Sequence, residues 1–292
     1  MKKCLAFILA VSLVILSAFT VNASVFKDEL GFTYEADTSG NLAVSGYDGT
    51  DMDVPPSYSS YPITKIKNMA FADNTVLESL SFENARNLES IGIYAFAGCT
   101  SLGSVNIPWS ISNVSTAAFK GCTSMTAVGF YSKGGKVSNE CFSGCSALKD
   151  VVLGEDVTAI GNYAFAGCAS LKYIELSKNI NSISETSFAN TNVTFGVYYG
   201  SYAYDYARSN SVPYILLDGV KLGDVNGDNV VNINDVTVIQ SHLAEMKKLE
   251  GVFLYAADTN RNGEVKIDDA TTLQMYLAEY ELNYPIGEVL TQ

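Results

Sequence analysis

Histidine and tryptophan are nearly absent from this 292-residue chain, with one copy of each, and basic side chains are scarce: 18 Lys and Arg stand against 31 Asp and Glu. A single imidazole, His242, excludes histidine-rich metal sites and leaves one candidate base for a Ser/His/Asp catalyst. A net charge of −13 leaves no basic stripe to neutralise phosphates, which excludes ordinary nucleic-acid binding. No C-x-x-C pair exists to nucleate a zinc site. Only one apolar run approaches membrane-spanning length, and it lies at the extreme N-terminus. What remains is a chain 48% apolar, able to bury a core and long enough for two domains or for a repeat array with an attachment.

The apolar run has the three-part layout of a secretory signal peptide. Lys2 and Lys3 supply the positive start, Leu5 to Phe19 the apolar stretch, and Val21 and Ala23 the small residues before a cut at Ser24. The chain is therefore expected to be secreted, with no membrane span once the leader is removed. Cys4 precedes the run and is not placed as a lipid-modified cysteine.

The next signal is an internal period. Phe96, Phe119, Phe142, Phe165 and Phe188 are each 23 residues apart, and Phe71 leads them by 25. Five residues before each stands Ile66, Ile91, Val114, Val137, Ile160 or Ile183. Six residues after come Leu77, Leu102, Met125, Leu148 and Leu171, each opening a short alternating run such as Leu102/Val105/Ile107. Alternation predicts one short strand per repeat. A lone repeat cannot bury both strand and turn, whereas stacked copies form a continuous column, so the expected fold is a repeat solenoid.

Cys99, Cys122, Cys145 and Cys168 keep the same 23-residue interval, and Cys141 takes the small-residue slot that Ala fills elsewhere. Export favours disulfides in general. Equivalent positions in stacked repeats instead predict a ladder of buried, reduced thiols.

The motif Ile-Gly-x-x-Ala-Phe-x-Gly-Cys-x-Ser-Leu, present as Ile91–Leu102 and Ile160–Leu171, resembles the BspA-like leucine-rich repeats of bacterial surface and secreted proteins. The resemblance spans roughly residues 30–217. Phe32–Tyr34 and Leu42–Val44 read as a capping hairpin, and residues 200–214 as a closing helix and strand. The strand positions expected to face outward are Ser79, Ser104, Ala127, Asp150 and Tyr173, then Ser81, Asn106, Gly129, Val152 and Glu175. They form no aromatic column for stacking on sugar rings. Tyr198, Tyr199, Tyr202, Tyr204, Tyr206 and Tyr214 read chiefly as cap packing, with a contact patch as the alternative.

After Asp218 and Gly219 the period stops. Asp224, Asn226, Asp228, Asn232 and Asp235 put oxygen side chains at positions 1, 3, 5, 9 and 12 of a 12-residue loop, with the Val230 carbonyl at position 7. Calcium takes six to eight hard oxygens, and an EF-hand loop delivers them at this spacing. Asn229 holds position 6, which requires a left-handed backbone that Asn tolerates. A second loop begins thirty-four residues on, with Asp258, Asn260, Asn262, the Glu264 carbonyl and Asp269. Lys266 at its position 9 cannot ligate, so this Ca²⁺ site is expected to be the weaker of the two. Helical spacing follows each loop, through Val236, Ile239, Leu243 and Met246 in the first.

Two such loops that end in Asp, each followed by a matching helix, resemble a type I dockerin over roughly residues 222–284. The resemblance implies a calcium-folded module that docks on a cohesin of a scaffoldin in cellulosome-type complexes for polysaccharide degradation. It also implies contact residues Ile233, Asn234, Gln240, Ser241 and Glu245 in one half, and Ile267, Asp268, Gln274, Met275 and Glu279 in the other. His242 is expected to sit on the surface of the first helix.

The chain thus divides into a leader at 1–23, a β cap at 24–65, the array with its C-terminal cap at 66–217, the dockerin at 218–284 and a tail at 285–292. The expected function is a non-catalytic adaptor whose array holds an unknown extracellular protein or carbohydrate. The alternatives are a free adhesin with a structural calcium module and a glycoside hydrolase. The hydrolase would need paired acids about 5–9.5 Å apart across a sugar cleft, and no catalytic domain is legible to hold them. Calcium removal is expected to unfold residues 222–284 while the array survives.

Overall fold

The computed structural model describes residues 25–290 apart from Asp218 and Asn229. The proposed leader at 1–23 and the position-6 residue Asn229 therefore lie outside the described residues.

The repeat builds a β-solenoid. Each interior copy contributes a strand on one face, including Ser104–Ile107, Ala127–Phe130 and Asp150–Leu153, paired in parallel with Ser104, Ala127 and Asp150 in one row and Asn106, Gly129 and Val152 in another. Tyr173–Glu175 and Thr194–Val197 continue the face. The expectation of one strand per repeat is incomplete. A second, two-residue strand forms around the β-branched residue before each Phe: Ser90–Ile91, Asn113–Val114, Lys136–Val137, Ala159–Ile160 and Ser182–Ile183. Two residues are too short to leave a periodic trace; they pair because the stacked neighbour supplies the partner backbone.

Between the strand faces, the Ala-Phe turns stack. Phe71, Phe96, Phe119, Phe142, Phe165 and Phe188 form one column with ring centroids 5.0–5.7 Å apart and planes within 14° of parallel. Each Phe amide from Phe71 to Phe165 donates to the residue before the next Phe, as from Phe96 to the Ala118 carbonyl at 2.8 Å. The turn needs a left-handed residue two positions after the Phe. Gly98, Gly121, Gly144 and Gly167 supply it inside the array, and Asp73 and Asn190 at its ends.

Cys99, Cys122, Cys141, Cys145 and Cys168 are free and buried. The four periodic thiols each donate to the carbonyl of a Phe one repeat back, from Cys99 Sγ to Phe71 at 3.1 Å through Cys168 Sγ to Phe142 at 3.2 Å. The ladder expected from the sequence is thus present, with each sulfur bonded to backbone. Burial lifts the thiol of Cys99 to about 12 and those of Cys141 and Cys168 above their ordinary value.

Both ends are closed. Strands Phe32–Ala36 and Leu42–Tyr47 make the antiparallel N-terminal hairpin, and Leu42–Tyr47 then pairs in parallel with Tyr61–Ile66. At the other end, helix α1 (Tyr202–Ser209) starts where the Ser201 hydroxyl accepts the Tyr204 amide at 3.2 Å, and it buries Ala203, Tyr204 and Ala207. Strand Tyr214–Leu216 finishes the sheet beside Thr194–Val197.

A second, separate core follows, built on Leu222, Val225, Val236, Ile239, Leu249, Ala257, Ala270, Leu273 and Ile286. Its helices are α2 (Ile233–Leu243), α3 (Val252–Ala257) and α4 (Ile267–Leu277), with α2 packed on α4. Helix α2 stops sooner than the spacing predicts: Glu245 turns left-handed at φ 56° and leaves Met246 exposed. Residues beyond 284 fold back onto the start of this unit, where Leu222 N–H donates to the Glu288 carbonyl and Leu290 N–H to that of Val220. Among the described residues no helix is long and apolar enough to cross a membrane.

Candidate metal centre and docking face

Each Asp/Asn-rich loop is closed by the carboxylate at its twelfth position, which doubles as the first-turn acid of the following helix. Asp235 Oδ1 accepts the Val225 and Asn226 amides at 2.8 and 2.9 Å, and its Oδ2 accepts that of Asn232 at 2.9 Å. Asn232 in turn caps α2 through the Asn234 amide at 2.7 Å. The second loop repeats the device: Asp269 accepts Asn260 N–H at 3.2 Å and Lys266 N–H at 2.8 Å.

Further bonds link the residues inside each loop. In the first loop the Asn226 amide donates to Asp228 at 3.0 Å, and the Asn232 amide to the Val230 carbonyl at 3.2 Å; Asp224 is buried at the base. The Val230 side chain is exposed, so only its carbonyl joins the set. Three carboxylates, two amides and a carbonyl, with no cation among them, suit a hard divalent ion. In the second loop Asp258 accepts the Asn262 and Gly263 amides at 2.9 and 2.8 Å, and the Asn262 side chain accepts that of Glu264 at 3.0 Å. The Lys266 ammonium pairs with the Glu264 carboxylate, and that bond raises the pKa of the lysine. Burial lifts the Asp269 carboxyl above its ordinary value. Both donor sets are compatible with calcium, the second with less charge. Among the described residues no three Asp, Glu, His or Cys side chains gather closely enough to hold a metal ion.

Asp268, a docking candidate by resemblance, leans into the second loop. Its Oδ2 accepts the Asn260 side-chain amide at 3.0 Å and that of Asn262 at 3.4 Å. The other candidates lie along the outer faces of α2 and α4. Ile233 is 60% and Ile267 65% exposed at matching positions, and Asn234, Gln240, Gln274 and Met275 are open to solvent. Ser241 is half-buried and donates to the Thr237 carbonyl at 2.7 Å. Glu245 and Glu279 are exposed but stand just past their helices, in left-handed conformations rather than on the helical face. His242 does not present a free ring: its Nδ1 accepts the Leu249 amide at 3.1 Å and fixes the turn into α3.

One contact has no forerunner in the sequence reading. The Tyr199 hydroxyl donates to the Asn226 carbonyl at 2.7 Å, and its ring lies edge-on to Phe253 at 5.5 Å and beside Tyr204 at 4.9 Å. A Cβ on Gly227 would fall 2.3 Å from that ring. The array's cap therefore seats the first loop. The second loop carries Arg261 where Gly227 stands and is exposed there. Tyr199 was legible only as one member of a tyrosine-rich cap.

Comparison with known sequence families agrees with this architecture. Residues 64–194 match the BspA type Leucine rich repeat region in six copies, and residues 222–278 match the Dockerin type I domain. The chain is a BspA-type leucine-rich repeat protein with a type I dockerin domain, a non-catalytic pair of module types. Among solved structures it is similar to a Treponema pallidum leucine-rich repeat protein at 23% identity, covering 65% of this chain and 97% of that one, with a TM-score of 0.49. It is also similar to a leucine-rich cell surface protein of Faecalibacterium prausnitzii at 19% identity, covering 59% and 55%, with a TM-score of 0.42. No curated protein matches the chain significantly.

Proposed function

We propose that this is a secreted, non-catalytic adaptor. Its dockerin, folded around calcium at both loops, docks on a scaffoldin cohesin in a cellulosome-type complex for polysaccharide degradation. Its repeat array holds an extracellular protein or polysaccharide. The observation that carries this reading is the twofold design of residues 222–278. Two oxygen-lined loops are each closed by a twelfth-position Asp onto a helix, and the paired helices leave Ile233 and Ile267 exposed at equivalent places. Exposed apolar side chains repeated at matching positions mark a contact surface. Calcium would supply the positive charge that the clustered carboxylates lack and so fix the loops that seat both helices.

The test is binding of the chain without its leader to a panel of scaffoldin cohesins, with calcium and with chelator. Calcium-dependent binding that falls at least tenfold in the double variant Ile233→Asp/Ile267→Asp is expected. The second reading, a free adhesin with a structural calcium module, draws on the Tyr199 contact, which ties the module to the array. Failure to bind any cohesin while still binding calcium would favour it.

A further inference from the structure

The outward face of the solenoid carries Tyr173, which stands in an outward column, and Tyr131, which lies just past the end of one strand. Tyr131 follows strand Ala127–Phe130, and its ring lies across two glycines: a Cβ on Gly129 would fall 2.9 Å from Tyr131 Cε2, and one on Gly154 3.1 Å from Tyr131 Cδ1. Tyr173 opens strand Tyr173–Glu175 and reaches over Gly196, where a Cβ would fall 2.1 Å from the Tyr173 hydroxyl. Both rings thus lie down on the sheet, in space that any side chain at those glycines would fill. They are 39% and 41% exposed, and Val152, on the strand between them, is 53% exposed. The outward columns hid the strip because they hold Tyr173 alone and show Gly129 only as a small position, while the ring beside it comes from Tyr131, outside the columns.

At its upstream edge the strip meets a shallow pocket of about 380 Å³ lined by Ser81, Glu83, Arg86, Ser104 and Asn106 among others. Asn106 lies directly beside Gly129 in the strand register. The face therefore runs from a pocket that mixes hydrogen-bonding groups with apolar side chains, Leu80 and Phe82 among them, onto two flat rings. Their strands are two steps apart, about 10 Å at the usual strand spacing. Rings laid flat offer their faces, which suit the apolar C–H face of a pyranose; hydroxyls at the rim of each sugar find amide, carboxylate and guanidinium partners. Asp150 and Glu175 on the same face, within a strongly acidic chain, oppose uronic or sialic polymers.

From this juxtaposition we infer that the face bounded by Asn106, Tyr131, Val152 and Tyr173 binds a neutral polysaccharide chain. The inference rests on the proposed reading of the array as a ligand holder, and it names that ligand's class. The experiment is affinity electrophoresis of the leaderless chain, with calcium, through gels containing xylan, mixed-linkage β-glucan or galactomannan, beside gels containing polygalacturonate. Expected is retardation by at least one neutral polymer and none by polygalacturonate. Retardation should weaken at least tenfold in Tyr131→Ala/Tyr173→Ala and stay unchanged in Tyr255→Ala, an exposed tyrosine on α3. Far-UV circular dichroism and calcium-dependent cohesin binding of the same variants report folding independently. Retardation by no neutral polymer, or retardation indifferent to the double substitution, would overturn the inference. A chain that binds cohesin but no glycan loses this inference and keeps its docking role; one that binds glycan but no cohesin does the reverse.

Discussion

If the first Asp/Asn-rich loop holds calcium as proposed, its contact with Tyr199 makes metal binding and array stability partners. Replacing Tyr199 by Phe removes one hydroxyl, whose hydrogen bond to the Asn226 carbonyl is 2.7 Å long, and keeps the ring against Phe253 and Tyr204. A hydrogen bond of this kind contributes a net of about 1 kcal/mol, or roughly fivefold in an equilibrium constant. If the bond forms only with the loop ordered, calcium affinity at the first site falls by that factor, while the second site, whose loop the hydroxyl does not bond, changes less. Reciprocity requires calcium to stabilise the array's C-terminal cap by the same increment. Tyr199→Ala, which also loses its two ring contacts at about 0.5–1.5 kcal/mol each, should weaken the first site further. Calorimetric calcium titration of the full chain separates the two sites. The single tryptophan, Trp109, lies in the array and reports its urea unfolding separately. Equal weakening of both sites, or an array midpoint that ignores calcium in the parent chain, would refute the coupling. It would restore the simpler expectation that the module melts alone on chelation.

Phe142→Ala, in the middle of the ring column, should cost about 3–5 kcal/mol. The same change at the terminal Phe188 should cost clearly less, because only one side of the stack depends on it; equal losses by urea unfolding would show that the column does not behave as a one-dimensional array. The buried thiols should resist alkylation at pH 8 until denaturant is added. Burial raises the folded pKa values of Cys99, Cys141 and Cys168, that of Cys99 from 9.0 to about 12. Their stabilising contribution is therefore intact below the ordinary thiol pKa and fades as pH climbs from about 9 toward 12; a urea midpoint flat across that range would contradict this. Lys266→Asp should strengthen the second calcium site by about tenfold, since it removes a cation and adds an oxygen at the ninth loop position, and unchanged titration curves would show that the position is idle.

The parts readable in advance are those where one residue type recurs against itself. Phe every 23 residues can only mean stacking, and the Cys ladder follows from the same interval. The two oxygen-rich loops were readable from the recurring spacing of Asp and Asn, and Asp235 and Asp269 close them by accepting backbone amides. What escaped are contacts between unlike positions. The second strand, such as Lys136–Val137, exists only because its neighbour in the stack pairs with it. Tyr131 and Tyr173 matter through the glycines of adjoining positions, and Tyr199 through a carbonyl 27 residues away. Ile286, assigned to a tail, fills the dockerin core because residues 287–290 pair back with 220–222. His242 looked like surface because nothing in its own helix reveals that Leu249 returns beneath it.

The left-handed turns set a rule for how such a chain can grow. Glycine occupies the position two after Phe in the interior copies, while the outermost ones end on Asp73 and Asn190. Every interior copy therefore offers the same joint on both sides, and a duplicated or deleted 23-residue unit would find its amides and carbonyls already matched. Only the edge copies are not interchangeable. Inserting one unit between Tyr131 and Tyr173 would move them apart by a single strand spacing, about 4.8 Å. The reach of the outward face is thus adjustable in whole steps by recombination, without redesign of any residue in the core.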